Sequence, residues 1–176
     1  MNVNGLIAAA AFLLGATSLA LAASPSPIGS FKQWSAYTSN EADGKMCFIA
    51  SQPTDTKTSQ PISSRDPVFF MITVIPAKKI VNEASTIIGY AFKEGSKVTV
   101  DVDGTKFTMF TDKDSAWVEN PADEPQLVAA MKGGSKMTVQ GTSRRGTVTT
   151  DSYSLSGISA ALDAIAKACP TAQATQ

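Results

Sequence analysis

Two cysteines, one pair of adjacent arginines and a scatter of carboxylates are the chemically active side chains of this 176-residue sequence, and histidine is absent. Without imidazole there is no Ser-His-Asp or Cys-His pair, no His-containing zinc site and no His general base. The commonest hydrolase chemistries are excluded, and a non-enzyme is the expectation. Asp112, Asp114, Asp123 and Glu124 could supply the carboxylate pair of a cell-wall glycan hydrolase, which needs two acids a few ångströms apart. Nothing in their spacing selects a pair, and solvated acids in polar turns are the plainer account. Asp101-x-Asp103-Gly104 opens like a calcium loop, but its glycine comes too early and the ligand at the fifth place is missing. It reads as a turn, so neither a metal nor a cofactor is expected. Arg144-Arg145 is the one compact basic feature. Two guanidiniums at a hairpin tip could engage an anionic sugar, a lipid head group or a partner's carboxylate. The alternative is a solvated turn.

The chemistry of Cys47 and Cys169 depends on compartment. Val3 to Ala23 is almost continuously apolar and ends in Ala20-Leu21-Ala22, a small-x-small pattern followed by Ala23-Ser24-Pro25. This reads as a secretory signal cleaved after Ala22, although no Lys or Arg precedes the apolar run. The alternative is an uncleaved anchor, since the apolar length approaches that of a spanning helix. Export to the periplasm or beyond puts both cysteines in an oxidising compartment and favours a Cys47–Cys169 disulfide. Such a staple across a long loop is worth up to about 4–5 kcal/mol on the chain-entropy model. Two buried free thiols are the other possibility. No later window is long and apolar enough to span a bilayer, so the mature chain carries no expected transmembrane segment.

Charge narrows the partners further. The 15 basic and 15 acidic residues balance, which argues against nucleic acid and against a polybasic membrane surface. An anionic envelope or host-surface ligand, or another protein, would have to be met by a local cluster. With 43% hydrophobic residues the chain can bury a core.

The elements that must position these residues centre on Ser96 to Phe110. Val98, Val100 and Val102 alternate with polar residues before Asp103-Gly104, and Phe107 and Met109 alternate after it. Period-two patterning around Asp-Gly predicts a hairpin with a type I′ turn. Further strands are expected over Phe31–Thr38, Met46–Ala50, Val68–Ile75, Ile87–Phe92 and Ala116–Val118. The nearly unbroken apolar run of Val68–Ile75 suggests a strand buried on both faces, and Gly89 marks a bulge or a close backbone approach. Ser51–Pro67 has no apolar periodicity and reads as the longest loop. Alternation across Lys78–Ser85 is poor. Met137–Gly141 and Thr147–Thr150 flank Ser143-Arg144-Arg145-Gly146 as another hairpin. A short helix should enter at Asp123-Glu124-Pro125 and stop at Gly133-Gly134. A last helix opens near Ser156, with Ile158, Leu162, Ile165 and Cys169 on one face. The expected organisation is a signal over residues 1–22, a short tether over 23–30, one β-rich domain over 31–170 and a polar tail over 171–176. The expected fold is mainly β: an antiparallel sandwich or partly open barrel, with one short helix and a C-terminal helix packed on it.

Three stretches carry a family likeness: IIGYAFKEGSKVTVDVDGTKFTMFTDKDSAW from Ile87, LVAAMKGGSKMTVQGTSRRGTVTTDSYSLSG from Leu127, and the final helix ending in Cys169. Together with Trp34 and Cys47 they resemble the invasion-associated locus B family of alphaproteobacterial exported proteins. The resemblance spans essentially the whole mature chain and implies an exported, mostly β domain. The family is named for a member linked to bacterial entry into red blood cells. It brings no catalytic residues to carry over; the expected function is a non-catalytic binding or host-interaction module of the envelope, with the glycan hydrolase or a structural periplasmic envelope-integrity factor as the alternatives.

Overall fold

Asp103 and Gly104 both adopt positive φ, 47° and 98°, as a type I′ turn demands. Asp101 accepts the Gly104 amide at 2.7 Å, and Asp103 accepts the amides of Ser135 and Lys136 at 2.6 and 3.2 Å. Both carboxylates are thus spent on backbone. The computed structural model describes residues 24–171, apart from residues 43 and 63. The signal sequence expected over 1–22, and all but the first residue of the tail expected over 171–176, lie outside the described residues.

Eleven strands form among them: β1 (Ser26–Phe31), β2 (Trp34–Glu41), β3 (Gly44–Ser51), β4 (Asp55–Thr58), β5 (Phe69–Ile75), β6 (Ile80–Ile87), β7 (Lys97–Val102), β8 (Thr105–Asp112), β9 (Ser115–Val118), β10 (Lys136–Thr142) and β11 (Val148–Ser154). They make one antiparallel sheet in the order β1-β2-β3-β5-β6-β9-β8-β7-β10-β11-β4, which does not close by strand pairing. The sheet curls until its ends meet. Trp34 Nε1, near one end, donates to the Ser154 carbonyl near the other at 3.0 Å, and Phe70 packs edge-on against Tyr153 at 6.1 Å. Of the two forms that the sequence leaves open, the partly open barrel is the one adopted.

Alternation decides which side chains fill it. Cys47 and Ile49 on β3, Phe70, Ile72 and Val74 on β5, Val98, Val100 and Val102 on β7, and Met137 and Val139 on β10 all point inward and are buried. Two helices complete the cover: α1 (Glu124–Gly133) buries Leu127, Val128 and Met131, and α2 (Ile158–Ala168) buries Ile158, Ala161, Leu162 and Ile165. Gly157 opens α2 with φ +96°, and a Cβ there would lie 1.9 Å from the Phe31 carbonyl oxygen. No larger residue fits.

Several expectations need correction. The tether over 23–30 is largely strand, because Ser26–Phe31 pairs with β2 and forms one edge of the sheet. The long loop contains β4, which forms the other edge on β11. Both were missed for one reason: exposed edge strands need no apolar alternation. The weakly patterned Lys78–Ser85 stretch is mostly β6, whereas the chain after Ile87 leaves the strand and stays beside the sheet through a Phe92–Ser143 bridge and a Lys93 amide donated to the Thr142 carbonyl at 2.9 Å. β5 is central but buried on one face only, with Phe69 and Met71 half-exposed on the other.

Candidate functional site

The chain between β4 and β5 crosses a mouth of the curled sheet and sends Arg65 inside. On β11, Thr149, Asp151 and Tyr153 all face the interior, so the Asp151 carboxylate is completely enclosed. An unpaired buried charge would cost several kcal/mol. Arg65 answers it with a bidentate pair, Nη1 and Nη2 donating to Oδ1 and Oδ2 at 2.7 and 2.6 Å. The two side chains are 9% and 0% exposed. Thr56 on β4 adds a 2.7 Å hydrogen bond to Asp151 Oδ1, and Arg65 Nε donates to the Ile88 carbonyl at 2.7 Å. The guanidinium also lies over the Tyr90 ring, 5.1 Å from its centroid, in cation–π contact. The Tyr90 and Thr149 hydroxyls are 2.8 Å apart and hydrogen-bonded.

Burial shapes the acidities here. It is the main force holding the Tyr90 phenol above its ordinary pKa, with the Thr149 hydrogen bond pulling back. Burial, reinforced by the Asp151 charge, drives the Tyr153 phenol far higher. Tyr153 Oη meets no hydrogen-bond partner among the described residues. Thr86 opposes the shift only weakly, since its hydroxyl is donated to the Phe69 carbonyl.

Above this network lies an open recess of about 520 Å³, walled by Gln60–Ile62 and Ser64–Asp66, by Gly89–Ala91 and by the β10–β11 turn with Arg144 and Arg145. Gly89 is essential to the wall: its φ is +76°, and a Cβ would sit 2.2 Å from the Asp66 carbonyl oxygen. The close backbone approach expected at this glycine is thus present, although outside any strand. The arginine tip is held by its own backbone. Arg144 N donates to the Ala91 carbonyl at 2.9 Å, Gly146 N to Ser143 O at 2.8 Å, and Thr147 N to Ser143 Oγ at 3.1 Å. Arg144 and Arg145 are exposed, and their guanidiniums make no hydrogen bond or ion pair among the described residues. A fixed turn carrying two unpaired planar donors can take an anion. It offers no nucleophile with a base beside it.

The other residues singled out by sequence fall elsewhere. Cys47 and Cys169 form a disulfide with Cα atoms 6.0 Å apart, joining β3 to the end of α2. Of the four candidate acids, Asp114 caps its own turn through Ser115 Oγ at 3.1 Å, and Asp123 lies 3.4 Å from the Asn120 amide. Asp112 and Glu124 do come to one groove, beside Glu83, which the sequence did not single out. Glu124 there accepts the Ala84 amide at 2.6 Å. No group of three or more metal-ligating side chains gathers among the described residues. The Arg65–Asp151–Tyr90 constellation went unseen in the sequence, yet one signal was present. Extending the Thr147–Thr150 alternation two residues further puts an acid on the inward face, and such an acid requires a cation from somewhere.

Partial burial, first, and the neighbouring Glu83 charge raise the pKa of Glu124, against the pull of the Ala84 hydrogen bond. A carboxyl whose folded pKa is raised carries its full stability contribution below the unfolded value and loses it as pH rises through the folded one. Glu124→Gln keeps an acceptor for Ala84 and removes the charge. It should therefore unfold at equal or slightly higher urea at pH 7, with the difference from wild type vanishing below pH 4. A clear loss at pH 7 would show that the ionised form is the stabilising one.

Comparison with known proteins places the geometry in context. The family model described as invasion associated locus B (IalB) protein matches residues 34–166. A crystal structure of invasion associated protein b from Bartonella henselae has a similar fold, with a TM-score of 0.53 and 17% sequence identity over 83% of this chain and 99% of that one. No curated protein matches the chain. No helix among the described residues is long and apolar enough to cross a membrane.

Proposed function

The chain belongs to the invasion associated locus B (IalB) family, and from that premise we propose that it is an exported, non-catalytic binding protein of the cell envelope, periplasmic or secreted. The observation that carries this reading is the pair of unpaired arginines fixed on the rim of the recess. Its partner is an anionic group on an envelope or host-surface molecule: a carboxylate, sulfate or phosphate reached by Arg144 and Arg145 together. The disulfide supports an oxidising compartment, and the leader read in the sequence supports export. The hydrolase reading loses support from Glu124, whose carboxylate is pinned to backbone rather than free to shuttle a proton.

Titration with a heparin oligosaccharide and with phosphatidylglycerol vesicles tests the site and separates a soluble polyanion from a lipid surface. Arg144→Ala/Arg145→Ala should weaken binding of whichever ligand is taken by on the order of tenfold or more. Wild-type affinity should fall as salt rises. Both side chains are exposed, so unfolding free energy should stay within about 0.5 kcal/mol of wild type. Unaltered binding in the double variant would reduce the tip to a solvated turn.

A further inference from the structure

The outer face of the sheet carries a second feature, independent of the recess. Strand register aligns Met71, Ser85, Trp117 and Phe110 in one row across β5, β6, β9 and β8. Phe110 and Trp117 are direct cross-strand partners, and their rings stack with centroids 5.8 Å apart and 27° between planes. Phe110 is 41% exposed, among the few large apolar side chains left open to solvent. The pair floors a shallow groove of about 430 Å³ bordered by Glu83, Asp112 and Glu124, with no basic residue in its lining. Lys97, which stands opposite Phe110 in register, is held by Glu119 in an ion pair and leaves the acids uncompensated.

The chemistry of this lining is one-sided. Apart from the indole N–H, every polar side-chain group offered is a carboxylate, and carboxylates only accept. A sugar would set neutral hydroxyls against three acids and leave the charge unbalanced. A guanidinium is all donor, positively charged, planar and weakly hydrated, and it both stacks on aromatic faces and forks onto carboxylates. An ammonium matches the charge but not the plane. We propose that this groove docks an arginine side chain of a partner polypeptide, the guanidinium stacking on the exposed Phe110 ring beside Trp117 with its N–H groups directed to Glu83 and Asp112. The protein then has two separate binding faces of opposite sign: a basic tip at the β10–β11 turn and an acidic aromatic groove across β8 and β9.

Calorimetric titration of the mature chain with a hexa-arginine peptide tests this, with hexa-lysine and hexa-citrulline as comparisons. Hexa-arginine should bind and weaken with salt, hexa-lysine should bind about tenfold more weakly for want of stacking and bidentate geometry, and the uncharged citrulline peptide should not bind. Phe110→Ala and Asp112→Asn should each reduce hexa-arginine affinity by about fivefold or more, while their melting temperatures stay near wild type because both positions are exposed. Arg144→Ala/Arg145→Ala should leave this binding intact, which separates its fate from that of the basic tip. Equal affinity for arginine and lysine peptides together with an inert Phe110→Ala would mean diffuse electrostatic attraction only and would overturn the proposal. So would binding of a chito-oligosaccharide that displaces the peptide from the groove.

Discussion

Replacing Asp151 by alanine is expected to destabilise the protein by about 3–5 kcal/mol, the range for breaking a buried ion pair from one side. The change strands the Arg65 guanidinium, whose side chain is only 9% exposed, and removes the acceptor of Thr56. Two pieces of the structure should loosen with it: β4, which joins the sheet only through β11, and the 64–67 segment that Arg65 anchors. Urea denaturation would give the energy, and limited proteolysis would report early cleavage in the segment. The paired replacement Arg65→Met/Asp151→Leu is expected to be less damaging than Asp151→Ala alone, because it removes both desolvated charges. A loss below about 1 kcal/mol for Asp151→Ala would mean that water reaches Arg65 and that the site is open in solution.

Loss of the disulfide should be of similar size. Cys47 and Cys169 are separated by 122 residues, so the bond restrains almost the whole domain in the unfolded state. Cys47→Ala/Cys169→Ala is expected to lower stability by about 2–5 kcal/mol. Reduced wild type should match the double variant in urea. The effect should also be local, because α2 is tied to β3 by this bond and by Lys45 Nζ donating to the Ala168 carbonyl at 2.9 Å. Amide exchange in the last turn of α2 should accelerate before the rest of the sheet responds. A double variant as stable as wild type would show that α2 packing alone holds the helix down.

Both predictions concern contacts between residues far apart in sequence, and they differ in how visible they were beforehand. The cysteine pair could be matched by compartment and count, since only two were available. Arg65 and Asp151 are 86 residues apart, and each was one charged residue among many. What the sequence determined by itself is local. Asp103-Gly104 must turn, because two adjacent positive-φ positions suit those residues. The alternating valines of β7 must face one interior, and Ile158, Leu162 and Ile165 must share one helix face. Those features follow from steric preference and from apolar periods of two or 3.6. The tertiary structure alone decided the rest. Exposed β1 and β4 become strands because a partner supplies their hydrogen bonds, not because their side chains demand it. One curled sheet replaces two stacked ones because its ends join through Trp34 and Ser154. The basic recess and the acidic groove arise where the register of distant strands brings ordinary surface residues side by side, and register is a property of the pairing rather than of either strand.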